Sequence, residues 1–128
     1  GLGYVYTRQP EFVTHYLGRM INIHPSLLPK HQGLHTHRRA LEAGDEMHGV
    51  TVHFVTPELD GGPAIIQAQI PINCDDTEDS LAERVLIQEH RIYPLAIKWF
   101  TEGRLQYKEE KCLFDNQELP SSGVIRKS

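Results

Sequence analysis

A strand that runs into a proline is the feature of this sequence that most constrains its fold. Residues 20–30 read MINIHPSLLPK, a short run of strand-forming side chains followed by two prolines. Proline has no N–H to donate to a sheet, so the strand must end at Pro25 and a loop must follow. Side chains alternate along a strand, which predicts that Asn22 and His24 share one face at its carboxyl end. Ligands of open α/β sheets bind at that end.

The two polar side chains of this strand suit acyl-transfer chemistry. An amide can donate to a carbonyl oxygen, and an imidazole can donate or accept a proton near neutral pH. Asn22 and His24 are therefore candidates for a catalytic pair. The alternative is a structural role for both, which is the commoner role of an isolated Asn-x-His pattern.

Three motifs in fixed order resemble the folate-dependent formyltransferases, and among them the phosphoribosylglycinamide formyltransferases of purine synthesis. They are NIHPSLLP at residues 22–29, GLHTHR at residues 33–38 and GVTVHFVTPELDGGP at residues 49–63. The resemblance runs from about residue 3 to the region of residue 103. Several ordered motifs over most of a chain are a far more specific signal than one short pattern.

The resemblance implies an α/β fold with a doubly wound, mainly parallel sheet, of which this chain is the C-terminal half with antiparallel strands and a long helix. It also implies that a preceding half, with a glycine-rich loop for the substrate phosphate, is missing from this chain. We therefore expect a formyltransferase domain over residues 1–119. The polar residues 120–128 are expected to form a mobile tail.

The resemblance further implies a reaction and a catalytic trio. The reaction is transfer of a formyl group from 10-formyltetrahydrofolate to the amine of glycinamide ribonucleotide, without a metal and without a covalent enzyme intermediate. The implied catalytic residues are Asn22, His24 and Asp60, with Asp60 aiding proton transfer through water. A carboxylate beside an imidazole favours its charged form. Taken alone, Asp60-Gly61-Gly62 is nearly always a simple turn.

Substrate-binding residues also follow from the resemblance. On one side the folate would contact the backbone of a loop formed by Val5, Tyr6, Thr7 and Arg8. On the other side it would contact a turn formed by Thr56, Pro57, Glu58, Leu59 and Asp60. The nucleotide would contact Ile23, His24 and Glu89, although a solvated helix charge is an equal alternative for Glu89. The chain departs from many relatives at Tyr6, where they carry Arg, and at Leu86, where they carry a polar residue.

Charge and cysteine content narrow the function classes. A net charge of −4 gives no electrostatic basis for binding nucleic acid or an anionic membrane. No apolar run is long enough to span a membrane, which predicts a cytoplasmic protein. Cys74 and Cys112 show no Cys-x-x-Cys spacing and fit a reducing compartment, with a disulfide between them as the alternative.

The histidines raise the question of a metal. The chain has 8 of them, including His35 and His37 in one motif and His31, His48 and His53 nearby. No His-Glu-x-x-His pattern occurs and the cysteines are distant, so we expect no metal site. We instead expect His35 and His37 to support His24 or its loop, and His53 to be a half-buried histidine with its hydrogen bonds satisfied.

Helices are predicted in three places. The first covers residues 10–16, and the second covers residues 36–43 with Thr36 as N-cap, an Arg38–Glu42 pair and Gly44 as terminator. The third is long and ends at Gly103. Its acidic start, at Asp75, Asp76, Glu78 and Asp79, complements the helix dipole, and Pro94 is expected to kink or split it.

Strands are predicted over residues 50–56 and 64–72 as an antiparallel pair joined by the loop that carries Asp60. A hairpin is predicted from residues 104–107 and 111–114. Two alternatives to the implied function remain. One is a formyltetrahydrofolate hydrolase or another folate-dependent formyltransferase. The other is an inactive folate-binding fragment that needs an N-terminal half, or a second copy in a homodimer, as partner.

Overall fold

The computed structural model describes residues 17–58 and 60–127. The elements follow in the order β1 (Ile21–His24), α1 (Thr36–Glu42), β2 (Met47–Phe54), β3 (Ala64–Pro71), α2 (Glu78–Thr101), β4 (Leu105–Lys108), β5 (Lys111–Phe114), β6 (Gln117–Glu118) and β7 (Val124–Lys127). The helix predicted over residues 10–16 lies outside the described part of the chain. Among the described helices, none is both long and apolar enough to cross a membrane.

A four-stranded sheet carries the elements that build the site. Its order is β1-β2-β3-β7, with β2 antiparallel to both β1 and β3 and with β7 parallel to β3. The antiparallel β2–β3 pair is the one predicted around the Asp60 loop. Strands β4, β5 and β6 form a second, antiparallel sheet that contains the predicted hairpin. The fold class is α/β, as the sequence predicted.

The hydrophobic core lies between this sheet and α2. Val50, Val52 and Phe54 alternate along β2 and have no exposed surface. The facing side of α2 supplies Leu81, Val85, Ile92, Ala96 and Trp99. Burying one large apolar side chain contributes about 1.5–3 kcal/mol. Thr51 and His53 lie on the other face of β2 and are also buried, so polar groups enter the interior on that face.

Helix α2 begins with a capping box and runs through its proline. The Ser80 N–H donates to the Thr77 hydroxyl at 3.1 Å, and the Thr77 N–H donates to the Ser80 hydroxyl at 2.9 Å. Glu78 and Asp79 occupy the first turn, which fits the predicted capping role of the acidic cluster. Pro94 was expected to kink or split the helix. It does not split it, because α2 continues to Thr101, and a kink at Pro94 stays a prediction. Pro94 and His90 are exposed, so water can bind the carbonyl group that the proline leaves without a donor.

Helix α1 begins differently from the prediction. Its N-cap is His35 in the left-handed conformation, with φ of 58°, and no side chain caps the helix. Thr36, the predicted N-cap, is the first helical residue and is buried. Arg38 was predicted to pair with Glu42, but its Nε lies 3.5 Å from Glu78 Oε2 instead. Proximity of α1 to the start of α2 therefore overrides the local i,i+4 preference.

The C-terminal residues are more ordered than the sequence suggested. A mobile tail was predicted from residue 120, but Val124–Lys127 form β7 and pair with Ile66–Gln69 of β3. Gly123 allows this approach: its φ is +74°, and a Cβ there would lie 2.6 Å from the Ile65 carbonyl carbon. The polar composition concealed the strand because the side chains of β7 are largely exposed.

Candidate active site

Strand β1 carries the first two candidate residues. Asn22 lies opposite His53 of β2, and His24 lies opposite Thr51. The Ser26 N–H bonds back to the His24 carbonyl at 2.8 Å, so the chain leaves the sheet immediately after Pro25. The strand and its termination are as predicted. Asn22 is half-buried, whereas His24 is only 7% exposed.

Asp60 approaches His24 from the turn between β2 and β3. Its Oδ2 lies 3.4 Å from His24 Nδ1. The turn is closed at its base, where Phe54 N–H donates to the Pro63 carbonyl at 3.1 Å. A Cβ at Gly62 would collide with the Phe54 carbonyl oxygen, so the Gly-Gly sequence is required for this approach. The fold thus brings together two candidates that are far apart in the sequence.

The loop after β1 fixes the Asp60 carboxylate. Gly33 N–H donates to the same Oδ2 atom at 2.9 Å, and the Gln32 side-chain amide donates to the Asp60 carbonyl at 3.2 Å. Asp60 itself has a φ of 53°, a conformation that Asp tolerates better than most residues. These bonds orient one carboxylate oxygen toward the imidazole before any substrate is present.

The same loop fixes the His24 ring. His24 Nε2 lies 3.0 Å from the His31 carbonyl oxygen, which can only accept, so Nε2 carries a hydrogen. Nδ1 is then the nitrogen that faces Asp60. A histidine held by a backbone carbonyl through one nitrogen presents the other in a defined direction, which is how catalytic imidazoles are commonly oriented.

His53 is a neighbour of Asp60 that sequence reasoning placed incorrectly. It was expected to be half-buried and satisfied, but it is 1% exposed, and its Nε2 has no hydrogen-bond partner within the described residues. Nδ1 donates to the Phe54 carbonyl at 2.9 Å, and Nε2 lies 3.9 Å from Asp60 Oδ1. Burial lowers the pKa of this imidazole, so its neutral form presents a lone pair to the carboxylate.

A second group of histidines lies next to α1. His37 Nδ1 is 3.0 Å from His48 Nε2, and His31 Nε2 is 2.7 Å from Asp45 Oδ2. Burial, together with the nearby His37, lowers the pKa of His48 to about 4. The hydrogen bond from His31 holds the pKa of Asp45 below its usual value. His37 thus contacts His48 instead of His24, and His35 begins α1.

These groups do not form a metal centre in the part of the chain that the structure describes. No cluster of three or more His, Cys, Asp or Glu side chains there has the arrangement that a metal ion requires. His31 links the loop after β1 to Asp45, and His37 links α1 to His48.

Two cavities flank the turn that carries Asp60. One, of about 380 Å³, is lined by Thr56, Pro57 and Glu58 together with Gly61, Pro63, Tyr107 and Glu110. The other, of about 360 Å³, includes Asp60 and residues of β5 and the loop after β1. The turn predicted to contact folate therefore borders open space on both sides. Val5, Tyr6, Thr7, Arg8 and Leu59 are outside the described residues.

Two of the three residues predicted to contact the nucleotide line the same cavity, and His24 is not among its lining residues. Ile23 of β1 and Glu89 of α2 line one cavity of about 440 Å³, with His90, Tyr93 and Pro94. Burial raises the pKa of the Glu89 carboxyl group, which a fully solvated helix charge would not experience. The structure thus places Glu89 beside the strand that carries Asn22 and His24.

Sequence reasoning missed two buried polar residues next to the site. Thr51 of β2 bonds the backbone of Ser26 and Leu28, and Gln67 of β3 bonds the Leu28 carbonyl. Gln67 is one of two glutamines in an otherwise apolar strand, and a polar residue within that strand was the available signal.

Comparisons with known proteins show the family of this chain. A family model described as formyl transferase matches residues 3–97. The phosphoribosylglycinamide formyltransferase of Escherichia coli is 58% identical over 121 residues, which are 94% of this chain and 57% of that protein. This chain therefore spans little more than half the length of such relatives.

Solved structures give the same result. The phosphoribosylglycinamide formyltransferase of Coxiella burnetii, in complex with CHES, aligns with a TM-score of 0.88 at 52% identity, covering 91% of this chain and 55% of that one. A formyltetrahydrofolate deformylase from Pseudomonas syringae aligns with a TM-score of 0.77 at 28% identity, covering 82% and 35%. Since the family model covers most of its length and close relatives share its sequence and fold, the chain belongs to the formyl transferase family.

Proposed function

We propose that this chain carries the catalytic and folate-binding part of a phosphoribosylglycinamide formyltransferase of purine (IMP) biosynthesis. The reaction transfers a formyl group from 10-formyltetrahydrofolate to the amine of glycinamide ribonucleotide. The observation that carries the proposal is the 3.4 Å approach of Asp60 to His24, beside Asn22, in a chain closely similar to enzymes of that name. The formyltransferase domain is assigned to residues 1–119 together with β7, which pairs with β3, and the protein is assigned to the cytoplasm.

The chemistry follows from the three side chains. The substrate amine attacks the formyl carbon, a C–N bond forms, and the carbonyl oxygen becomes an oxyanion. The Asn22 amide donates to that oxygen, as does His24 Nδ1–H when the ring is an imidazolium with a hydrogen on each nitrogen. The amine proton passes through water to Asp60 and from Asp60, again through water, to the folate nitrogen. The C–N bond to folate then breaks as the carbonyl re-forms. One donor to an oxyanion is worth about 10²–10³ in kcat.

The distance between His24 and Asp60 suits this role. A charge-assisted N–H···O bond is usually about 2.7–2.9 Å long, so 3.4 Å is a loose contact. A loose contact leaves the Nδ1 hydrogen available to a formyl oxygen that enters beside the carboxylate. Because Gly33 N–H already holds Asp60 Oδ2 and the His31 carbonyl holds His24 Nε2, neither group must reorient when substrate binds.

Substrate recognition is assigned to both sides of this centre. Folate is held by the backbone of residues 5–8 and of the turn formed by Thr56, Pro57, Glu58, Leu59 and Asp60. The nucleotide lies along Ile23 and His24, with Glu89 accepting hydrogen bonds from the ribose hydroxyls. Leu86 offers no polar group on the preceding turn of α2, which weakens that side of the nucleotide site.

The proposed active species includes a partner. The relatives are nearly twice as long as the matched segment, and the phosphate loop that the resemblance implies precedes it. We assign the role of partner to an N-terminal half, and a second copy of this chain is the alternative partner.

Formyl transfer by this chain can be measured alone and after mixing with an N-terminal portion of the Escherichia coli relative. Formation of formylglycinamide ribonucleotide only on mixing is the expected result. Failure to form product, together with no binding of a folate analogue in either sample, would reject the proposal.

The structural likeness to a deformylase supports a second candidate function. Formate release from 10-formyltetrahydrofolate without nucleotide would favour that candidate.

A further inference from the structure

A row of buried polar side chains crosses the sheet beneath the loop over residues 26–35. His24 of β1 is the register partner of Thr51 of β2, and Thr51 is the register partner of Gln67 of β3. Their exposed fractions are 7%, 0% and 2%. The row therefore begins at a candidate catalytic residue and ends two strands away, at a residue to which the proposed chemistry gives no role.

Each member of the row binds the backbone of that loop. His24 Nε2 donates to the His31 carbonyl at 3.0 Å. The Thr51 hydroxyl accepts from Leu28 N–H at 3.2 Å and donates to the Ser26 carbonyl at 2.7 Å. The Gln67 amide donates to the Leu28 carbonyl at 2.9 Å. The peptide groups on both sides of Leu28 are thus held, one by Thr51 and one by Gln67.

The bond from Gln67 is costly to lose. A carbonyl oxygen only accepts hydrogen bonds, so the NH₂ end of the Gln67 amide must face Leu28. Both groups are buried, and a buried carbonyl deprived of its partner retains its full desolvation penalty. An apolar residue at position 67 would fill the same space in β3 but would leave the Leu28 carbonyl without its hydrogen bond, so the loop would be held less firmly at Leu28.

The loop transmits its position to the catalytic pair. Five residues beyond Leu28, Gly33 N–H donates to Asp60 Oδ2, the carboxylate oxygen that faces His24. Between them, the His31 carbonyl anchors the other nitrogen of the His24 ring. A shift of the loop at Leu28 therefore displaces the groups that orient both the imidazole and the carboxylate.

We propose that Gln67 is a positioning residue of this site, which sets the His24–Asp60 geometry by holding the Leu28 carbonyl. The catalytic part of this inference rests on the proposed formyl transfer, whereas the structural part does not. Gln67 lies outside the reacting centre and acts through the loop.

Backbone amide exchange tests the structural part without any assay of activity. In Gln67→Met, which keeps the volume but removes the donor, the Leu28 and Gly33 amides should exchange about threefold to tenfold faster, as expected for loss of one hydrogen bond. The amides of the β2–β3 ladder should keep their rates. Gln69→Met is the matched control, because Gln69 lies on the same strand and makes no side-chain hydrogen bond within the described residues. It should leave both loop amides unchanged.

Steady-state kinetics test the catalytic part. With the wild-type chain active, alone or with its partner, Gln67→Met should lower kcat about tenfold and leave KM for both substrates within about twofold. Wild-type exchange at Leu28 and Gly33, or equal acceleration throughout the sheet, would overturn the inference. So would a faster-exchanging loop with an unchanged kcat.

Two further outcomes are distinguishable. If Gln67→Met does not fold, Gln67→Leu undergoes the same exchange measurement, and failure of both to fold overturns the inference in favour of a purely structural role. If the wild-type chain transfers no formyl group under any condition, the proposed function fails. The exchange data then still decide whether Gln67 holds the loop.

Discussion

At the scale of single residues, the site is centred on the carboxylate of Asp60. Its Oδ2 receives the Gly33 N–H and faces His24, while Oδ1 faces the lone pair of His53. Sequence reasoning selected Asn22, His24 and Asp60 through a family resemblance. It could not select His53, because a lone histidine in an alternating strand gives no indication of what its second nitrogen faces.

Replacing the carboxylate should separate chemistry from binding. Asp60→Asn keeps the shape of the side chain but removes the proton acceptor, so kcat should fall about 10²–10⁴-fold, as for the loss of a general base. Folate affinity, measured by fluorescence titration, should stay within a few fold. Asp75→Asn, in an exposed position before α2, is the control. Turnover at the wild-type rate in Asp60→Asn would remove the proton-transfer role.

The buried His48 should make stability depend on pH. Its pKa of about 4 lies below the ordinary value of 6.5. At a pH between these two values, His48 binds a proton in the unfolded chain but not in the folded chain. The free energy of unfolding should therefore decrease as pH falls from 7 to 5, by on the order of 2 kcal/mol from this residue.

Urea unfolding of His48→Gln at the two pH values measures that contribution. The variant should be less stable at pH 7 but should lose less stability on acidification than the wild type. His90→Gln, at an exposed position of α2, should keep the wild-type pH dependence. An identical decrease in all three proteins would show that other groups cause it.

At the scale of elements, patterns repeated over many residues were predictive and single positions were not. The strands predicted over residues 50–56 and 64–72 and the long third helix are correct, because several side chains along each element report the same buried face. The prediction of Thr36 as the N-cap of α1 was wrong, because the left-handed conformation of His35 has no signature in the sequence. The uninterrupted course of α2 through Pro94 depends on solvent exposure, which a local pattern does not reveal.

The start of α2 offers a test at this scale. Thr77→Ala removes the hydroxyl that accepts from Ser80 N–H, so the free energy of unfolding should drop by about 1 kcal/mol. Thr101→Ala, at the other end of the helix, removes only an exposed bond to the Lys98 carbonyl and should cost less than half as much. Chemical denaturation compares the two. Equal losses would contradict the importance of the capping box.

At the scale of the whole molecule, long-range pairing was the part that the sequence did not reveal. The parallel pairing of β7 with β3 joins one strand that precedes α2 in the sequence to one that follows it, and no local composition indicates this pairing. The same holds for the site, where Asp60 meets His24 only because β1, β2 and β3 are neighbours. Family resemblance supplied the residues, and the fold supplied their proximity.

Docking of β7 should depend on Gly123. Gly123→Ala combines a positive φ with a Cβ placed 2.6 Å from the Ile65 backbone, and we expect a loss of about 2–4 kcal/mol. Gly103→Ala is a matched control, with a φ of +73° and nothing within 4 Å of the added atom, and should cost about 1 kcal/mol. Thermal unfolding distinguishes them. If both variants melt at the same temperature, β7 is not held as described.

The register shift between β2 and β3 limits how the length of this chain can vary. Val52 pairs with Ile66 but His53 pairs with Ala64, so Ile65 is an extra residue on β3. A residue inserted into or removed from β3 beyond this bulge would shift the rest of the strand by half a period and exchange its two faces. Such changes should therefore abolish folding and activity together. Changes of length at the exposed Pro57 and Glu58 would leave both strands in phase and displace only the turn that carries Asp60, so folding should survive while activity falls.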